Sequence, residues 1–294
     1  MDQQLSVFVS VVEKQNFSRA AEDLHMTQPA VSHYIQQLER TLGTRLLERS
    51  NKFVRLTKAG EVVYHHAKEI LTLYSRMQYL VDDMTHAATG VISIGASYTY
   101  GEYVLPHIIA RLRDRYPLIQ PTIRIGNSTE IAELIANHQI DIGVVEGDLP
   151  SQKMMMEPIA DDVMVVIASA NHRLAGQTEV HVSELAGETW IVRERGSGTR
   201  EATEGMFAKL QISVEHVMEF GSTQIIKESV EAGLGITLVS NWAIQKELKL
   251  GTIQVLPLKG TPIIRKFSLL TQATNFQTKA MEIFAGLIRE EKSF

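Results

Sequence analysis

The chain has 294 residues, carries no cysteine and has a net charge of −5. That length suits about two domains, and the missing thiols exclude disulfide scaffolds, cysteine nucleophiles and cysteine-ligated metals. No apolar run is long enough to span a bilayer, and the opening MDQQLSVFVSVVEKQNF lacks a basic-then-apolar signal, so a cytoplasmic location is expected.

The charge is unevenly placed. Residues 1–60 are net +2, residues 61–88 net −2 and the rest net −5. Arg45, Arg49, Lys52, Arg55 and Lys58 stand against only Glu48. A small basic element on an acidic body suits a local phosphate contact.

Leu5, Phe8, Val9 and Val12 recur at helical spacing and predict a first amphipathic helix. Asn16 and Ser18 interrupt it, and Ser18 is expected to cap a second short helix running to Leu24. Thr27 is the expected cap of a third helix, with Pro29 in its first turn, where a missing N–H costs nothing. In that helix, AVSHYIQQLERTL, the side chains of Val31, Ile35, Leu38 and Leu42 share one face. Ser32, His33, Gln36 and Gln37 project elsewhere. Two short helices, a tight turn and a third helix with a polar outer face make a helix-turn-helix, whose last helix enters the major groove. Gln can bond adenine bidentately, and Ser or His can reach base acceptors. Residues 42–49 and 53–57 flank a Ser50-Asn51 turn and read as a basic hairpin, a wing along the DNA backbone. The bland alternative is a small structural helical domain with a solvated polar face.

The run FSRAAEDLHMTQPAVSHYIQQLERTLGTRLLERSNKFVRLTKAGE resembles the signature region of LysR-type transcriptional regulators. The resemblance covers the first sixty residues nearly without gap. His33 and Gln36 depart from it, since many members carry Arg there. It implies DNA contacts from Gln28, Pro29, Ser32, His33 and Gln36, with Arg45, Arg55 and Thr57 holding the backbone or the wing. Ala20, Ala21, Val31, Ile35 and Leu38 are expected in the core.

From Thr57 to about Ala87 no proline occurs. Val63, His66, Ile70, Leu73, Met77, Leu80 and Met84 form a seam with a period of about 3.5 residues, the kind that packs helix on helix. A dimer through Val63, Ile70, Leu73, Met77 and Leu80 is expected; a helix docked on its own C-terminal domain is the alternative. LysR-type proteins dimerise through such a linker helix and are often tetramers, which extends the expectation to a homotetramer. A two-fold protein matches an interrupted palindrome in double-stranded DNA. His65 and Glu69, four apart, could share a metal, but such lone pairs are far more often solvated, and HHAKE is not the HExxH of zinc proteases. No metal and no cofactor are expected.

Beyond Thr89-Gly90 the pattern alternates: strand at 91–95, helix near 102–115, strand 122–126, helix near 129–137, strand 141–145. A second set follows, with strands near 163–168, 190–193, 217–220 and 235–239 and helices near 199–210 and 223–232. A strand at 266–271 and a helix near 276–290 return to the first set. The alternation of the first set, up to 141–145, predicts a parallel, doubly wound α/β sheet. Two such lobes resemble the periplasmic-binding-protein-like effector domains of LysR-type regulators. The predicted organisation is therefore a mainly α-helical winged helix-turn-helix (1–60), a linker and dimerisation helix (61–88), and a two-lobed α/β effector domain (89–294). Lobe I takes about 89–161 and 267–294, and lobe II about 162–266.

In such folds ligands sit at strand carboxyl ends against helix N-termini. Three loops fit: 96–101, 126–129 and 193–200. Their candidates for a small, anionic effector are Ser97, Tyr98, Thr99, Asn127, Ser128, Arg193, Ser197, Gly198 and Thr199, with Arg195 and Arg200 as further charge. Val145-Glu146-Gly147 is expected at the rim. Each loop taken singly reads equally well as a capping turn. The Arg193–Arg200 run resembles LysR members that control sulfur or carbon assimilation. Gly196–Arg200 is no P-loop, and no GxSxG elbow occurs, so no enzyme is expected. An enzyme or a solute-binding module on the C-terminal domain remains the alternative to an effector-switched regulator.

Overall fold

A computed structural model describes residues 2–49, 54–83, 89–147, 154–185, 187–273 and 277–291. The chain divides into two compact units, Met1–Thr85 and His86–Phe294.

The first unit contains α1 (Asp2–Lys14), α2 (Phe17–Asp23), α3 (Gln28–Leu42), β1 (Leu47–Arg49), β2 (Val54–Leu56) and α4 (Lys58–Asp83). Phe8, Val11, Ala20, Val31, Ile35 and Leu46 are buried at its centre. Ala21 and Leu38 join them as expected, whereas Leu42 is exposed because α3 ends there. The cap of α2 is Asn16, not Ser18: Asn16 Oδ1 accepts from the Ser18 and Arg19 N–H groups at 2.8 and 3.0 Å. Asn16 has the extended backbone that a cap requires, while Ser18 is already helical. Thr27 stands at the cap position of α3 without a side-chain cap bond. Gly43 closes α3 with a left-handed φ of 69°, a conformation that costs a Cβ-bearing residue strain. β1 and β2 pair antiparallel, with Glu48 opposite Arg55. The expected Ser50-Asn51 turn with Lys52 and Phe53, the Arg49 side chain, the Leu80 side chain and Met84 lie outside the described residues.

The second unit begins with β3 (Gly90–Ser97), α5 (Tyr98–Tyr103), α6 (Leu105–Arg115), β4 (Ile119–Gly126), α7 (Ser128–Ala136) and β5 (Ile142–Glu146). The helix expected near 102–115 is thus two helices. Pro106, with no N–H and a restricted preceding residue, starts α6 and ends the earlier turn at Val104. β6 (Met154–Ser169) then crosses into the second lobe. There lie β7 (Thr189–Arg193), α8 (Gly198–Leu210), β8 (His216–Phe220), α9 (Thr223–Glu231), β9 (Thr237–Ser240), α10 (Gln245–Leu250) and β10 (Ile253–Leu256). β11 (Ile263–Gln272) crosses back, and α11 (Lys279–Glu290) packs beside β3 and α6.

β4, β3 and β5 are parallel, as predicted. The crossing strands do not continue that parallel pattern. β11 runs antiparallel to both β5 and β6, and β6 runs antiparallel to β9 and β10. A chain that leaves one lobe and returns must send its two crossing strands in opposite directions. The register of β6 on β11 shifts between Phe267 and Ser268, opposite Ala160 and Pro158. Proline brings no ladder donor, so a bulge there is inexpensive. Only the apolar run 163–168 of β6 announced itself in the sequence, because 154–161 is half-buried or exposed and carries polar residues. One apolar core holds Ile94, Tyr100, Leu105, Phe267 and Phe284; another holds Met164, Val166, Trp190 and Leu238.

Candidate functional site

The first surface is the outer face of α3. Gln28, Pro29, His33 and Gln36 are exposed and Ser32 is half-buried. Gln28 Nε2 donates to Ser32 Oγ at 3.1 Å, and the Gln37 amide nitrogen meets His33 Nε2 at 2.9 Å. These are one-turn neighbours, so the polar groups are oriented in pairs. A concavity of about 760 Å³ between α3 and the wing is lined by Gln36, Glu39, Arg45, Glu48 and Thr57. Glu39 Oε1 accepts from the Leu46 and Leu47 N–H groups, which ties the wing to the recognition helix. Thr57 Oγ1 donates to the Arg45 carbonyl and accepts from the Gly60 N–H. Its hydroxyl therefore braces the wing. Arg45 and Arg55 are exposed, Arg55 on the second wing strand.

Along α4, Ile70, Leu73 and Met77 are 49%, 44% and 51% exposed, although all three are apolar. Val63 instead packs against the core of the first unit. His65 and His66 both pair with Glu69. Among the described residues, no group of three or more ionisable ligands is placed to hold a metal.

The second site lies where β6 and β11 cross between the lobes of the second unit. Its centre is Arg265 of β11. The guanidinium reaches Asp162 of β6 from Nε at 2.7 Å and Glu146 of β5 from Nη1 at 2.8 Å. The same group donates to Thr199 Oγ1 at 3.0 Å and Thr99 Oγ1 at 3.2 Å. Ser97 Oγ and the Thr99 N–H both donate to Glu146 Oε1, at 2.9 and 3.0 Å. Ser240 Oγ donates to Asp162 Oδ1 at 2.5 Å. All of these side chains are buried. Burial pushes the Glu146 carboxyl up, but Arg265 and the Thr99 and Ser97 donors outweigh it and hold the group below its ordinary range. At Asp162 burial wins over Arg265 and Ser240, and the carboxyl is raised.

Sequence reasoning found Ser97, Thr99 and Thr199, and the structure brings them together. Ser128 lies beside them, its Oγ donating to the Glu146 carbonyl and accepting from the Glu146 N–H. Gly198 presses on the same strand end: a Cβ there would sit 2.4 Å from the Glu146 carbonyl oxygen. Asn127 and Ser197 spend their side chains on caps, Asn127 in a reciprocal box with Glu130 and Ser197 on the Thr199 N–H. Arg193 is held bidentately by Glu194 and covered by the Tyr98 ring. Arg200 is paired with Glu204 and Glu219. Exposed Arg195 lines a cavity of about 350 Å³ with Ser128, Thr129 and Gly196. Arg265 and Asp162 were missed, and Glu146 was placed at the rim although it sits at the centre. The available signal was a charge inside an apolar strand, as in IIRKF.

The profile described as "Bacterial regulatory helix-turn-helix protein, lysR family" matches residues 3–61, and that of the "LysR substrate binding domain" matches 85–293. The chain belongs to the LysR family. Membership makes this LysR-type protein a DNA-binding transcription regulator with an effector-binding domain, not an enzyme. It is 35% identical to the HTH-type transcriptional regulator CysL of Bacillus subtilis, over 97% of this chain and 95% of that one. It is 31% identical to the RuBisCO operon transcriptional regulator of Allochromatium vinosum, over 98% and 93%. The regulatory domain of Synechocystis CcmR, solved in complex with 2-PG, superposes with a TM-score of 0.64 at 26% identity. That match covers 70% of this chain and 99% of the CcmR domain. No helix among the described residues is long and apolar enough to cross a membrane.

Proposed function

We propose that this LysR-type regulator reads promoter DNA with α3 and is switched by a small anion held between its two lobes. The observation that carries the effector half is the convergence of buried donors from both lobes: Ser97 Oγ, the Thr99 N–H, Thr199 Oγ1 and the Arg265 guanidinium. Buried donors must be met by an acceptor, and here a carboxylate, Glu146, meets them, so the cluster is one built around negative charge. The 2-PG complex of CcmR supports an anionic effector. Asn127, Ser128, Ser197 and Gly198 shape the seat, and Tyr98 with Arg193 closes one side. Closure acts on DNA only through the different effector affinities of the two lobe arrangements.

On the DNA side, Gln28, Pro29, Ser32, His33 and Gln36 approach base edges, while Arg45, Arg55 and the Thr57-braced wing follow the backbone. We assign residues 1–60 to DNA reading, 61–88 to the linker helix and 89–294 to the effector domain. The lobes are 89–161 with 267–294, and 162–266. The linker pairs two chains through Ile70, Leu73, Met77 and Leu80, without the core-packed Val63, and a homotetramer binds an interrupted palindrome in the cytoplasm. The relatives point to targets in sulfur or carbon assimilation.

The test is isothermal titration of the full chain with phosphate, sulfate and small phosphorylated or dicarboxylic acids, beside Ser97→Ala. Saturable binding of one anion, weakened about tenfold or more by the substitution, is the expected result. Binding that Ser97→Ala leaves unchanged would move the effector site elsewhere.

A further inference from the structure

The donors assigned to the effector anion are already engaged. Ser97 Oγ and the Thr99 N–H, from the first lobe, meet Glu146 Oε1 at 2.9 and 3.0 Å. Arg265 Nη1 and Thr199 Oγ1, from the crossing strand and the second lobe, meet Oε2 at 2.8 and 3.5 Å. A carboxylate surrounded by two hydroxyls, a backbone N–H and a guanidinium, at 2% exposure, is an anion in its seat. We infer that Glu146 is a resident internal anion: it fills the effector seat when no effector is bound, and an effector anion binds by taking its place. The inference rests on the cleft reading above.

Charge bookkeeping favours exchange over addition. Asp162 already shares Arg265 with Glu146, and Arg193 is committed to Glu194. An anion added beside Glu146 would set three negative charges around one guanidinium, whereas an anion that displaces it leaves the count unchanged. The strand end itself is held, because Ser128 Oγ bonds both the N–H and the carbonyl of Glu146. Exchange therefore belongs to the side chain. It also sets specificity. The effector must outcompete a tethered carboxylate, so it needs at least two anionic oxygens and further acceptors or charge, as phosphate esters and dicarboxylates have.

The experiment is anion rescue of the full-length Glu146→Ala variant. Thermal melting is followed against formate, acetate and inorganic phosphate, with chloride at matched ionic strength and wild type in parallel. Removing the tethered carboxylate should lower the melting temperature and leave a seat that free anions refill. The expected result is a saturable rise for the variant, half-saturating at about tenfold lower anion than in wild type and lost when Ser97→Ala is added. If Glu146→Ala does not fold, Glu146→Gln keeps the volume without the charge, and phosphate should bind it about tenfold tighter than wild type. Anion binding by wild type that depends on Ser97, but is not tightened by removing Glu146, overturns the internal anion and leaves the cleft reading standing. Rescue that survives Ser97→Ala overturns it too, because the anion then sits elsewhere. No anion binding by either chain overturns both.

Discussion

The ring of Tyr98 lies over the guanidinium of Arg193, with Cζ 4.4 Å from its centroid. Tyr98 opens α5 in the first lobe, and Arg193 ends β7 in the second. The same six-residue helix meets two more cations from across the cleft: Thr99 Oγ1 accepts from Arg265, and the Tyr103 ring lies 5.2 Å from Lys227 Nζ. The contact between the lobes is thus built from cations of one lobe set against rings and hydroxyls of the other. Arg193 is 1% exposed, so losing its cover admits water to a charge otherwise satisfied by Glu194 and Thr223. Tyr98→Ala should cost about 1–2 kcal/mol in urea denaturation of the full chain, and Tyr98→Phe, which keeps the ring face, about 0.5 kcal/mol or less. Equal losses would assign the effect to the hydroxyl.

The paired side chains on α3 separate base reading from backbone contact. Gln28→Ala and Ser32→Ala should each weaken specific DNA binding by about 1–3 kcal/mol and leave non-specific binding nearly unchanged. Arg55→Ala on the wing should weaken both alike and reduce the slope of log affinity against log salt by about 1. Fluorescence anisotropy with operator and scrambled duplexes over a salt series measures all three. A salt slope that falls with Gln28→Ala would reassign that residue to the phosphates.

Much of this architecture was legible in the residue pattern, and the exceptions share a cause. The core of the first unit follows from helical spacing of Phe8, Val31, Ile35 and Leu38, a local signal. The cleft loops showed themselves through Ser97, Asn127 and Ser197, because helix caps use a small set of residue types. The ion cluster did not. Asp162 and Arg265 are 103 residues apart, and only the antiparallel register of β6 on β11 makes them neighbours. Glu146 ends a strand whose other residues are also buried, so its burial could not be told from its polarity. Strand direction is likewise absent from an alternating pattern, which is why the antiparallel crossing strands went unforeseen.

The apolar stripe on α4 divides into two parts with different consequences. Ile70, Leu73 and Met77 are exposed, whereas Val63 packs in the first unit's core. Exposed apolar side chains spaced three and four apart are satisfied by a second helix. Leu73→Glu should convert the oligomer to monomers with helical content retained, read by light scattering and circular dichroism. Val63→Glu should instead lower the melting temperature of the first unit. A Leu73→Glu chain that keeps its mass would place the association surface elsewhere.

Glu146 and Asp162 share one guanidinium yet should respond to acid with opposite sign. Arg265 and the hydroxyl and N–H donors hold Glu146 below its ordinary 4.5, so its ionised form favours folding. That contribution is present above pH 4.5 and is lost as pH falls through the lower folded value. Burial raises Asp162 above its ordinary 3.8, so its ionised form opposes folding at neutral pH, and the cost fades as pH falls through the raised value. Glu146→Gln should therefore be less stable than wild type at pH 7, by about 1.5–3 kcal/mol for the lost charge-assisted bonds. Asp162→Asn should be as stable as wild type or more so at pH 7, because Arg265 keeps Glu146. Both differences should shrink toward zero on acidification, since a protonated carboxyl resembles its amide. Urea denaturation of the three chains at pH 7 and at several values below 4.5 measures this, at constant ionic strength. An Asp162→Asn chain that is the less stable at pH 7 and recovers on acidification would show that the guanidinium, not burial, governs Asp162.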